Sequence, residues 1–203
     1  MIIISEKTLI LTPSKTASIS IVVGLLKKYL GDEWLAGRPM SDLWADPLVQ
    51  LFGLWNWGNH NSNHHWTYHD WVVMYPPVSS FRVVTTVRHP LTRMESEFRY
   101  QLGGNRHNGR YTHEDFNESI ISGELFENCF KYHDRTQTDY LPENAELIRF
   151  ERLKEDAEKV LGIKNLPHVK HTQKPFITPV SEDANEILVE KFGVDYERLG
   201  YCP

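Results

Sequence analysis

The sequence predicts an α/β fold with a central parallel sheet flanked by helices. Three times a short apolar strand pattern gives way within a few residues to a helical one, at residues 7–30, 81–104 and 145–162. Strand followed by helix, repeated, is the order that lays strands parallel and packs helices on them. The chain also has the size for it: 203 residues with 40% hydrophobic content hold one domain with a sizeable core.

The elements follow in order. KTLILT, residues 7–12, reads as the first strand, and Ile19, Val22, Val23, Leu26 and Leu30 then recur at three- and four-residue spacing until Gly31 stops the helix. FRVVTTV, 81–87, is the second strand; Pro90 suits the first position of the next helix and Gly103–Gly104 its end. AELIRF, 145–150, is the third, and ERLKEDAEKVLG runs on as a helix to Gly162. A last helix begins after Ser181, with Glu182 and Asp183 in its first turn. Between these elements, residues 31–80 are rich in Trp, His and Asn and mix short helices with loops, while 101–142 hold a polar loop and then two helices. Both stretches read as insertions on that core, in a single domain spanning 1–203. Residues 163–180, with Pro167, Pro175 and Pro179, read as a long loop.

Charge and cysteine usage narrow the partners. A net charge of -5 argues against a dedicated nucleic-acid binder. Cys129 and Cys202 lie far apart and no signal-peptide pattern opens the chain, which fits a reduced, cytoplasmic setting. No apolar run approaches the ~18 residues of a membrane span, so no membrane partner is expected.

The chemistry gathers at strand ends. TPSKTASIS, residues 12–20, joins the first strand to the first helix. A loop in that position aims unpaired backbone N–H groups and the positive end of a helix dipole at one point, where an anion fits. Lys15 adds a full charge, Thr16, Ser18 and Ser20 add hydroxyls, and the small side chain of Ala17 allows close backbone approach. The first glycine of the chain is Gly24, so the two-glycine triphosphate loop of ATP and GTP hydrolases is absent. A second anion position follows the second strand. Arg88 ends that strand, at the rim where parallel sheets bind ligands, and its planar fork fits a phosphate with two hydrogen bonds. Arg93 and Ser96 share a helix face three residues apart.

With these two stretches the sequence resembles sulfotransferases that use 3'-phosphoadenosine 5'-phosphosulfate (PAPS). TPSKTASIS is similar to their 5'-phosphosulfate loop and VRHPLTRMES, 87–96, to their 3'-phosphate motif. The resemblance is strongest to the carbohydrate-type branch and extends through LIRFERLKEDAEKVLGI (147–163), LPHVKHTQK (166–174) and LVEKFGVDYERLGY (188–201). It implies a P-loop-like three-layer sandwich. It implies further that Lys15, Thr16, Ala17, Ser18, Ile19 and Ser20 cradle the 5'-phosphosulfate and that Arg88 and Ser96 hold the 3'-phosphate. PAPS would be the donor and adenosine 3',5'-bisphosphate the product. Arg93 resembles a frequent family arginine whose part, ligand contact or helix support, the sequence leaves open. Three positions depart from the family pattern: Ser14 stands where proline is usual, Ala17 where glycine is common, and Ile19 where a phosphate-binding hydroxyl is common.

Sulfuryl transfer, like phosphoryl transfer, asks the protein to align donor and acceptor and to neutralise charge on the leaving phosphate. Lys15 meets that need with no metal required. The acceptor still needs a base, and GNHNSNHHWTYHDW, 58–71, holds four of the ten histidines, His60, His64, His65 and His69. The resemblance favours His65, which precedes Thr67 and a helix as the branch's catalytic histidine does, with His64 and His69 behind it. On a helix the pairs His60/His64 and His65/His69 could instead ligate zinc, as in a metal-binding regulatory protein, although the Asn-rich lead-in favours a loop. Trp34, Trp44, Trp55, Trp57, Trp66 and Trp71 fall within 38 residues; such rings suit a saccharide or small hydroxylated metabolite as acceptor and suit core packing equally.

Overall fold

The computed structural model describes residues 2–3, 6–36, 66–102, 113–129, 132–167 and 180–203. It is a mixed α/β structure with a three-stranded parallel sheet and helices. The strands are β1 (Ile2–Ile3), β2 (Thr8–Leu11), β3 (Arg82–Val87) and β4 (Glu146–Arg149). The helices are α1 (Ser18–Leu30), α2 (Asp32–Leu35), α3 (Tyr68–Met74), α4 (Pro90–Leu102), α5 (His113–Ile121), α6 (Glu124–Glu127), α7 (Leu153–Leu161) and α8 (Glu182–Leu199). Chain contacts divide the molecule into two compact units: Met1–Val87 with Asp139–Val169, and Arg88–Thr138 with Lys170–Pro203.

The first unit holds the sheet, in the order β1-β2-β3-β4. The three predicted strands run parallel, with Leu11 opposite Thr85 and Val87 opposite Arg149. Each is a residue or two shorter than its apolar run. The two-residue β1, antiparallel to β2, is an addition that the sequence reading did not contain. Side-chain alternation sends Ile10, Val84 and Ile148 to one face, where they pack with Ile21, Val22, Leu25 and Leu26 of α1 and with Ala157 and Leu161 of α7. Leu9, Leu11 and Val83 point the other way, against Trp71 of α3 and Val78. Strands buried on both faces read as continuous apolar runs, which is how they appear in the sequence.

Local signals set the helix ends. Thr67 opens α3 through a capping box: Thr67 Oγ1 accepts from Asp70 N–H at 3.2 Å, and Asp70 Oδ2 accepts from Thr67 N–H at 2.8 Å. Gly162 closes α7 in the left-handed conformation, φ 64°, that glycine adopts without Cβ strain. In the second unit, Met94, Phe98, Phe116, Ile120, Leu188 and Phe192 form the centre of a core shared by α4, α5, α6 and α8. Ser181 caps α8 as its sequence position predicts, Oγ accepting from Ala184 N–H at 3.3 Å. Among the described residues no helix is long and apolar enough to cross a membrane.

Candidate functional site

The candidate residues fall into two groups, each within one unit. Lys15, Thr16, Ala17, Ser18, Ile19 and Ser20 belong to the first unit, Arg88 and Ser96 to the second.

The first group lies where β2 gives way to α1. Lys15 and Ala17 both adopt the left-handed conformation, at φ 63° and 72°, so the chain reverses its handedness twice within three residues. Alternation of this kind turns successive N–H groups toward one side, as in anion-binding nests. Ala17 is the residue before the helix and has ψ 28°. Its methyl group can cap nothing, among the described residues no side-chain hydrogen bond caps α1, and the first turn of α1 holds no acidic residue. The first hydrogen bond of the helix runs from Ile21 N–H to Ala17 carbonyl at 3.2 Å. The amides of Ser18, Ile19 and Ser20 precede it and have no carbonyl of their own helix to meet.

Side chains around this turn divide into anchors and lining. Thr16 is an anchor. Its hydroxyl, fully buried, donates to Pro13 carbonyl at 2.6 Å and lies 2.6 Å from Thr86 Oγ1 of β3. The single hydroxyl proton of Thr16 is thereby used, and what this residue can offer an anion is its backbone N–H. Lys15, Ala17, Ser18 and Ile19 are half-buried and Ser20 is buried. Ser14 is buried as well, at 1% exposure, and its hydroxyl has no hydrogen-bond partner among the described residues. An orphaned buried hydroxyl is uncommon and costs about 1–3 kcal/mol. The residue types gathered at this turn suit an anionic group: a cation, a nest of amides, and hydroxyls at Ser14, Ser18 and Ser20.

In the second unit Arg88 follows Val87 directly, and its Nε donates to Thr92 Oγ1 at 3.0 Å. Ser96 is buried on α4, three residues beyond Arg93. Arg93 has a structural part that the sequence left open. It is fully buried, gives Nη1 to His133 carbonyl at 3.0 Å and Nη2 to Arg135 carbonyl at 2.8 Å, and stacks its guanidinium 4.9 Å from the Phe192 ring centre. It supports α4 from behind.

The candidate base His65, with His60 and His64, lies outside the described residues. His69 is exposed on α3. Among the described residues no group of three or more His, Cys, Asp and Glu side chains could hold a metal ion. Of the six tryptophans, Trp66 and Trp71 pack edge to face at 5.1 Å beside the sheet, with Trp71 buried. Trp44, Trp55 and Trp57 lie outside the described residues.

Sequence reasoning missed three participants. Thr86 ties the loop to β3, and its one legible sign is a polar pair inside an apolar run. Gln137 pairs with the backbone of Arg88 and Asp195 holds Gln137, but the two stand 58 residues apart and no local spacing links them. Comparison with protein-family models, with curated proteins and with solved structures finds no match to this chain.

Proposed function

We propose that this protein is a sulfotransferase, moving a sulfuryl group from PAPS to a hydroxyl or amine of a saccharide or small metabolite. The observation that carries the reading is the β2–α1 turn: a lysine, two left-handed residues, an uncapped helix start and an orphaned buried hydroxyl gathered at the carboxyl end of a parallel strand. A P-loop-like three-layer sandwich is the finer form of the fold in this proposal, supported by apolar clusters on both faces of the sheet.

The donor supplies an activated sulfuryl group on a phosphate leaving group. Lys15 offsets the charge that grows on that phosphate, while the amides of Ser18 to Ser20 and the serine hydroxyls of the turn bind its oxygens. Arg88 and Ser96 hold the 3'-phosphate. His65 takes the proton of the acceptor, a task that suits the imidazole side chain.

Turnover of labelled PAPS against a panel of hydroxylated and amine acceptors tests the proposal, together with calorimetry of adenosine 3',5'-bisphosphate with and without a chelator. Transfer to one acceptor class is expected. His65→Ala is expected to lower turnover about 100-fold or more, the usual contribution of a positioned base, and to leave bisphosphate affinity nearly unchanged. A second reading, a nucleotide-binding module without transfer activity, is favoured by Ile19, which puts an apolar side chain where a donor is expected. Bisphosphate binding with no transfer to any acceptor would support it. A metal-dependent response with no nucleotide affinity would overturn both readings in favour of a regulatory protein built on the histidine cluster.

A further inference from the structure

Arg88 is gripped by its backbone. Its N–H donates to Gln137 Oε1 at 2.8 Å and its carbonyl accepts from Gln137 Nε2 at 2.8 Å, so one side-chain amide pairs with both main-chain groups as a neighbouring strand would. Gln137 is fully buried, and so is Asp195 on α8. The Asp195 carboxylate accepts from Gln137 N–H at 2.8 Å, Gln137 Nε2 at 3.3 Å, Thr138 N–H at 2.9 Å and Thr138 Oγ1 at 3.0 Å. The orientation of the Gln137 amide follows from its partners. Arg88 N–H demands an acceptor, while Arg88 carbonyl and Asp195 both demand a donor, and one rotamer meets all three.

We infer that Gln137 and Asp195 are positioning residues for Arg88, fixing the direction in which its guanidinium leaves the end of β3 toward an anionic ligand. The inference rests on the proposed part of Arg88 in holding a 3'-phosphate. A plain tie between α8 and the 136–138 turn would be served as well by apolar side chains, since a buried charge contributes little net stability over a well-packed hydrophobic replacement. The fold spends instead a buried carboxylate and a buried amide, and directs the amide at both backbone groups of one residue, the arginine. Thr92 completes the orientation by accepting from Arg88 Nε, and it passes its own proton to His89 carbonyl at 3.1 Å. Preorganisation of this kind raises affinity by removing rotational freedom before the ligand arrives.

The test is calorimetry with two probes, adenosine 3',5'-bisphosphate and adenosine 5'-monophosphate, which differ only in the 3'-phosphate. Gln137→Met keeps the shape and removes the pairing. It is expected to weaken the bisphosphate by about tenfold, the coupling typical of neighbours in one hydrogen-bond network, and to leave the monophosphate within about twofold. In an Arg88→Ala background the same change is expected to cost nothing further. Asp195→Asn, which keeps the volume and replaces one of the two accepting oxygens with a donor, is expected to show the same selective loss and serves if Gln137→Met does not fold. Equal loss for both nucleotides, or a loss that persists without the Arg88 side chain, would overturn the inference while leaving the sulfotransferase reading in place. A wild-type protein that binds neither nucleotide would overturn that reading, and this inference with it.

Discussion

Ala17 and Cys129 show how far a single residue's surroundings set its behaviour. Ala17 holds φ 72° and ψ 28°, a conformation that costs an L-residue with a Cβ roughly 1–2 kcal/mol and costs glycine almost nothing. Glycine loses more freedom on folding, by about 0.4–1 kcal/mol, so Ala17→Gly is expected to raise stability by a net of about 0.5–1 kcal/mol, read as a higher urea midpoint. A lower midpoint would show that the methyl group packs in the turn more strongly than its conformation strains it. Cys129 is half-buried, and its thiol is pushed up to about 11, first by burial and then by the negative charge of Glu97. Since only the thiolate attacks, about one Cys129 side chain in a thousand is reactive at pH 8, against about a quarter of those at an ordinary thiol pKa. Titration with an aromatic disulfide reagent at pH 8 is therefore expected to show one prompt thiol, the exposed Cys202, and a second on the order of 100-fold slower until the protein is unfolded. Two thiols reacting together would contradict this account of Cys129.

At the scale of elements, the contact between α1 and the segment after α7 depends on the one residue of α1 with no side chain, Gly24. A Cβ built on Gly24 would lie 2.7 Å from Leu166 Cδ1 and 2.8 Å from Ile163 Cγ2, both in the buried cluster on that face of the sheet. Alanine gains about 1 kcal/mol in helix propensity over glycine, but overpacking a filled core costs about 1–3 kcal/mol, and the Ile163 methyl branches too near its backbone to swing away. Gly24→Ala is expected to lower stability by about 1 kcal/mol, and Gly24→Val by more, in chemical denaturation. Stabilisation by alanine would mean that α1 moves outward at little cost. Nothing in the sequence marks Gly24 as a packing residue, because the residues it touches come some 140 positions later. The elements themselves were legible for the opposite reason. The change from continuous apolar runs to three- and four-residue spacing is local, and so are the signals at Thr67, Gly162 and Ser181 that end or begin helices. The pairing of Ile2–Ile3 with β2 was not legible: two residues carry no period, and only the register with Thr8 and Leu9 makes them a strand.

For the whole molecule, the same division separates what could be read from what could not. A turn such as TPSKTASIS carries its chemistry in consecutive residues, so its cation, its hydroxyls and its place before a helix were visible before any fold was known. The support behind Arg88 was not, because Gln137 and Asp195 meet only through folding of the second unit, and Arg93 becomes a structural pin only where the carbonyls of His133 and Arg135 close on it. The two candidate anion positions, one in each unit, also differ in what the reaction asks of them. In the proposed transfer, negative charge would grow on the phosphate assigned to Lys15, whereas the 3'-phosphate assigned to Arg88 would keep the same charge before, during and after. A cation at the first position stabilises the transition state more than the bound donor; one at the second stabilises both equally. Lys15→Ala is therefore expected to lower kcat about 100-fold or more with a smaller effect on bisphosphate affinity. Arg88→Ala is expected to weaken adenosine 3',5'-bisphosphate by about 10- to 100-fold, the worth of a charge-assisted hydrogen-bonded contact, with kcat at saturating donor largely kept. Steady-state kinetics with PAPS and calorimetry with the product, run on both variants, separate the two effects. Equal and small changes in both would remove Lys15 and Arg88 from the donor site together, and a kcat loss confined to Arg88→Ala would exchange their parts.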